Sequence, residues 1–239
     1  MRSGARENKS ESTKTSVLVP IGDQSLQGDL RTPADPHGIV VFAHGSGSSR
    51  HSLRNQYVAR ALEHWGLATL LIDLLTPEEA AIDDRTAQHR FDIGMLAQRL
   101  VTIVDWLRGR KETALLPIGL FGASTGGGAS LMAAADRPHE IAAIVSRGGR
   151  PDLAGPTLAN VTTPALLIVG GLDAPVIQMN RDAMKQMRGE VTLEIVSGAT
   201  HLFEEPGTLE RVAELAANWF ARHLTTNGGG MSEPMGIQA

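Results

Sequence analysis

The sequence predicts an α/β fold: a mainly parallel sheet with helices on both faces. Three observations carry that expectation. Short apolar runs alternate with segments of helical periodicity through the main body of the chain. The runs, such as Ile39-Val40-Val41-Phe42-Ala43 and Ala165-Leu166-Leu167-Ile168-Val169, have no polar face, as strands buried on both sides require. The stretch Gly122-Ala123-Ser124-Thr125-Gly126 joins such a run to an alanine-rich segment, a strand–turn–helix context for G-x-S-x-G. With 239 residues, 42% of them hydrophobic, and no internal repeat, the chain suits one domain with a substantial core.

In chain order, residues 1–15 are rich in Ser, Lys, Glu and Arg and are expected to form a disordered arm. A domain over 16–224 follows, and 225–239 reads as a Gly-rich disordered tail. Strands at 16–20 and 27–31, with Gly22-Asp23 between them, form an antiparallel edge. The strand at 39–43 ends in the glycine-rich loop His44-Gly45-Ser46-Gly47-Ser48-Ser49. An amphipathic helix at 53–65 leads to a strand at 68–72, and 74–85 is a polar, acidic connection. The helix at 91–108 repeats apolar residues at helical spacing, with Trp106 read as core. Strands follow at 117–121, 141–145, 165–169 and 191–196, with helices at 127–136, 176–187 and 206–223. Few residues remain for a lid.

Composition narrows the function. Net charge is −4 with dispersed basic residues, so there is no nucleic-acid footprint. There is no cysteine, hence no disulfide, thiolate metal site or catalytic thiol. No apolar run reaches the length of a membrane span, and the first residues lack the apolar stretch of a signal peptide. A cytoplasmic protein without nucleic-acid or membrane partners is expected. Phosphate-loop and dinucleotide-binding glycine patterns are absent, and the histidines lack metal-site spacing. The expectation is therefore no metal and no cofactor. Apart from His44 and His201, the histidines read as solvated surface residues.

A bare G-x-S-x-G is commonplace in a chain with 26 glycines, and a serine there is also a favoured helix N-cap. What distinguishes this one is the company it keeps. Serine needs a base, and the base needs a carboxylate to orient it. Ser124, Asp173 and His201 occur in that order, each after the C-terminal end of a predicted strand. All three should meet on one rim of the sheet. Taken singly, Asp173 reads as a helix cap and His201 as a surface or capping residue. Asp152, after the preceding strand, is the alternative carboxylate. His44 reads as a structural hydrogen-bonder. The amide of Thr125, at the start of the following helix, faces the point where an oxyanion would form.

The motifs His44-Gly45-Ser46-Gly47, Gly122-Ala123-Ser124-Thr125-Gly126, Gly170-Gly171-Leu172-Asp173 and Gly198-Ala199-Thr200-His201 together resemble α/β-hydrolases of the dienelactone-hydrolase-like group. The resemblance spans about residues 17–224. It implies an eight-stranded sheet with its second strand antiparallel, hydrolysis of a small ester or lactone, and Ser46 as the second oxyanion donor. Dienelactone hydrolases proper have a cysteine where this chain has Ser124, so their substrate is not implied. Two other functions stay open: an acyltransferase or cofactor-free perhydrolase with the same triad, and a non-catalytic scaffold that binds a partner. Ser146-Arg147-Gly148-Gly149-Arg150 also leaves a strand end. Either Arg147 holds a carboxylate of the substrate, or both arginines pair with acidic residues such as Asp152 or those of 73–84.

Overall fold

Eight strands form one sheet in the order β1-β2-β4-β3-β5-β6-β7-β8. The structure is a computed structural model that describes residues 12–224. The strands are β1 (Thr13–Ile21), β2 (Gln24–Thr32), β3 (Ile39–Ala43), β4 (Ala68–Ile72), β5 (Ile118–Ala123), β6 (Ile141–Arg147), β7 (Ala165–Gly170) and β8 (Val191–Val196). Strand β2 runs antiparallel to both its neighbours, and every other pairing is parallel. The α/β-hydrolase architecture expected from the sequence is the one observed.

The helices are α1 (Leu53–His64), α2 (Pro77–Thr86), α3 (Ile93–Arg108), α4 (Thr125–Asp136), α5 (Ala174–Met184) and α6 (Thr208–His223). A 3-10 segment, Pro151–Asn160, kinks at Gly155. All five residues of β3 are buried, because alternate side chains enter two different cores. Val41 joins Leu100, Ile103 and Leu120 in the core under α3 and α4. Val40 and Phe42 join Val58, Leu62, Phe121 and Phe220 in the core under α1 and α6. Burying a Leu or Phe side chain contributes about 1.5–3 kcal/mol.

Several boundaries differ from expectation. The arm expected over 1–15 lies outside the described residues up to 11; from Thr13 the chain is already in β1, paired to Thr32. Its first residues are exposed, so no apolar pattern marks them; the ladder and the Lys14–Asp29 ion pair at 3.0 Å hold them. The tail expected over 225–239 also lies outside the described residues. The polar connection after β4 contains a helix, α2. Thr76 Oγ1 accepts from Glu79 N at 3.3 Å while Glu79 Oε2 accepts from Thr76 N at 2.9 Å, a reciprocal cap with Pro77 just inside. The last helix starts at Thr208, beyond Pro206. Among the described residues no helix is long and apolar enough to cross a membrane.

Candidate active site

Strand β5 turns sharply into α4 at Ser124, whose φ of 51° and ψ of −118° are unusual for a residue with a Cβ. Such a conformation costs on the order of 1–3 kcal/mol and persists only where its surroundings hold it. Ser124 N donates to Arg147 O at 3.2 Å, and Ser124 O accepts from Gly127 N at 3.0 Å and Arg150 N at 3.1 Å. The flanking glycines explain the tightness. A Cβ on Gly122 would stand 2.6 Å from Gly127 Cα, and one on Gly126 would stand 2.7 Å from His44 O. Ser124 occupies the N-cap position of α4, but its side chain makes no capping bond. Oγ is not committed to holding the helix.

Asp173 repeats that pattern. It stands at the N-cap of α5 and makes no side-chain capping bond. Its Oδ2 accepts instead from His201 Nδ1 at 2.6 Å. The histidine comes from the loop between β8 and α6. A Cβ on Gly148 would lie 3.4 Å from His201 Cε1, so the residue after Arg147 backs the imidazole. Among the described residues no hydrogen bond joins Ser124 Oγ to His201; such bonds are often long before substrate arrives. Asp152, the alternative carboxylate, is taken up by Arg150, with Nε–Oδ1 at 2.8 Å and Nη2–Oδ2 at 2.7 Å.

The loop after β3 runs along the other side of the elbow. His44 is 8% exposed. Its Nδ1 meets Gly45 O at 3.0 Å and its Nε2 accepts from Leu74 N at 3.0 Å. This network assigns the proton to Nδ1 and leaves the ring neutral. Burial pushes the His44 pKa below its ordinary 6.5, against the raising effects of Gly45 and Asp73. Arg50 anchors the same loop through Asp73, which accepts from Arg50 N at 2.7 Å.

Ser46 and Thr125 both line a cavity of about 600 Å³. Leu75, Ala80 of α2 and Leu96 of α3 complete its apolar wall. Asp83 and Arg90 border it as a closed pair, Nε–Oδ2 2.6 Å, and against the raising effect of burial the hydrogen bonds from Arg90 and His89 lower the Asp83 pKa. The α2 wall escaped the sequence reading, although the Thr-Pro-Glu-Glu capping signature was there to be found.

Arg147 points into the α1 side of the sheet, 7% exposed, with Nη2 3.4 Å from Asn55 Oδ1. Pairing of both arginines with acids holds for Arg150 but not for Arg147. One histidine departs from the surface assignment: His223 has a 13% exposed side chain and packs against Trp219, ring centroids 4.4 Å apart and planes tilted by 48°. Among the described residues no group of three or more His, Asp or Glu side chains is placed to hold a metal ion.

A family model described as the dienelactone hydrolase family matches residues 26–226. Two Mycobacterium tuberculosis proteins, from strains CDC 1551 and H37Rv and provisionally named phosphoribosyl transferases, are 56% identical over 212 residues. The match covers 89% of this chain and 47% of theirs, so the chain spans about half the length of these curated relatives. The solved dienelactone hydrolase of Anabaena variabilis is 56% identical, with a TM-score of 0.88, covering 90% of this chain and 99% of that one. Est1E of Butyrivibrio proteoclasticus, 16% identical, superposes with a TM-score of 0.72 over 87% of this chain and 98% of its own, a likeness of fold.

Proposed function

The chain belongs to the dienelactone hydrolase family, and on that premise we propose that it is a serine hydrolase cleaving a small carboxylic ester or lactone through an acyl-enzyme. One observation carries the reading. Ser124 and Asp173 both stand at helix N-caps without capping, and Asp173 is bonded instead to His201 at 2.6 Å.

In this mechanism His201 Nε2 takes the proton of Ser124 as Oγ attacks the carbonyl carbon. Asp173 keeps the Nδ1–H tautomer and stabilises the imidazolium. The amides of Thr125 and Ser46 donate to the oxyanion of the tetrahedral intermediate. On collapse the leaving alkoxide takes the proton from His201 and departs. Water, deprotonated by His201, then attacks the acyl-enzyme, and Ser124 recovers its proton as the acid leaves. No metal or cofactor enters. The partner is a small molecule, neither nucleic acid nor membrane, and the setting is the cytoplasm. The transferase name of the mycobacterial relatives describes proteins about twice the length matched, and is not carried to this chain.

The test is a panel of p-nitrophenyl esters and small lactones. Ser124→Ala is expected to lower kcat by 10³-fold or more, on the order seen for triad removals. Asp173→Asn should cost a comparable factor, and Asp152→Asn should leave kcat near wild type. Intact-mass detection of acylated Ser124, with product analysis in the presence of an added alcohol, separates hydrolase from acyltransferase. Normal turnover by folded Ser124→Ala protein would remove the nucleophile. The opposite ranking of the two aspartates would transfer the orienting role.

A further inference from the structure

Arg147 is a buried cation with nothing to answer it. Its Nε and Nη1 have no hydrogen-bond partner, and Nη2 makes only the long contact to Asn55 Oδ1 at 3.4 Å. Phe203 lies against it, ring centroid 6.0 Å from Cζ. Among the described residues no carboxylate pairs with it. Glu204, the acid of this corner, is engaged by Arg54 Nη1 at 2.9 Å, while Arg54 Nε is itself buried without a partner. Burial and the charge of Arg54 lower the Arg147 pKa to about 10, which leaves it charged at neutral pH. Two cations close together, with orphaned N–H groups and no shared anion, are destabilising. Buried groups of this kind are completed by ordered water, an ion or a ligand, or serve a catalytic role.

The place is beside the proposed chemistry. Arg147 O holds the amide of Ser124 at 3.2 Å, and the next residue backs the His201 ring. Arg54 and Asn55 belong to the first turn of α1, a 12-residue helix whose N-terminal dipole favours an anion.

We propose that Arg147, Arg54 and Asn55 form a subsite for a phosphate group on the substrate, so that the esters cleaved at Ser124 are phosphorylated ones. The inference rests on the hydrolase reading above. Charge favours phosphate over carboxylate, since two guanidiniums and the start of α1 meet here. Arg147 Nε, Arg147 Nη1 and Arg54 Nε lack partners and are closed to solvent, so a ligand reaches them only as the two side chains turn toward it. A phosphate monoester offers three terminal oxygens and nearly two charges. A carboxylate offers two oxygens and one charge.

Three acetyl esters of matched size test it: 2-acetoxyethyl phosphate, its neutral counterpart 2-methoxyethyl acetate, and the carboxylate acetylglycolate. Wild-type protein is expected to show kcat/KM at least about tenfold higher for the phosphate than for the neutral ester, the worth of one good charge-assisted contact. Arg147→Met should collapse that ratio, mainly through KM. Arg147→Lys should recover only part of it, since ammonium keeps the charge but not the fork. Binding is read independently of turnover by the rise in Tm with inorganic phosphate, against sodium chloride at equal ionic strength. Wild type and Ser124→Ala should both shift, and Arg147→Met should not. If wild type cleaves none of the esters, the hydrolase reading fails while the Tm titration still decides the subsite. A missing shift in wild type, or one that survives Arg147→Met, overturns the subsite. So does equal kcat/KM on the phosphorylated and neutral esters, and a preference for acetylglycolate ends the phosphate assignment. Should Arg147→Met not fold, Arg147→Lys and the wild-type titration carry the comparison.

Discussion

His44 makes two backbone contacts that only a neutral ring satisfies together: Nδ1 with Gly45 O, and Nε2 accepting from Leu74 N. Burial lowers its folded pKa below 6.5. Below that pH the unfolded chain takes up a proton that the folded ring refuses. The contribution of His44 to stability is therefore complete above about 6.5, and declines as pH falls toward the lowered folded value, by at most about 1.4 kcal/mol per pH unit. His223, also lowered by burial, adds a term of the same sign. Urea denaturation at pH 7.5 and 5.5 should show a smaller acid loss for His44→Gln than for wild type; equal losses would clear His44 of the effect. At this scale the sequence was informative where chemistry depends on order along the chain. Ser124, Asp173 and His201 are singled out by that order, and the Asp173–His201 bond at 2.6 Å joins two of them; His44 reads as structural, and its burial and contacts agree. It was silent on which arginine pairs. Arg147 is the last residue of β6 and faces α1, whereas Arg150 lies beyond the strand and reaches Asp152. That difference is one of strand phase and loop path, and neither is written in Arg-Gly-Gly-Arg.

Elements with two buried faces were legible to within a residue or two. Ile39–Ala43 and Ala68–Ile72, buried throughout, have the limits expected of them. Helix α2 was missed because it offers no apolar stripe: its one buried residue is Asp83. Its first turn is held by polar contacts, the Thr76–Glu79 cap and the Glu79–Arg99 pair at 2.5 Å. Removing the cap should therefore act locally. Thr76→Ala is expected to cost about 0.5–2 kcal/mol. Hydrogen exchange in residues 77–86 should speed up before the sheet is affected, and KM should rise more than kcat falls, because α2 walls the cavity. Unchanged protection of α2 would show that the Glu79–Arg99 pair, not the cap, holds it.

For the whole molecule, alternation of strand and helix predicts a parallel sheet but not which strands are neighbours. The crossing of β3 and β4 in the order β2-β4-β3-β5 is set by long-range pairing, as between Val41 and both Leu70 and Leu120. Eight strand-like runs and an antiparallel edge are legible in the sequence, whereas their union in one eight-stranded sheet came from the family resemblance. The sheet divides the interior into two clusters, with Ile103 in one and Ile168 in the other. A backbone layer separates them, and neither side chain shares a packing partner with the other. Ile103→Val and Ile168→Val should each cost about 0.5–1.5 kcal/mol, and the double variant should match their sum within about 0.5 kcal/mol. A larger coupling energy in the double-mutant cycle would mean that the sheet transmits strain. Without it the sheet is a partition. Residues beneath α3 and α4 can be exchanged for stability while the opposite compartment, from which α1 presents Arg54 and Asn55, registers nothing of the change.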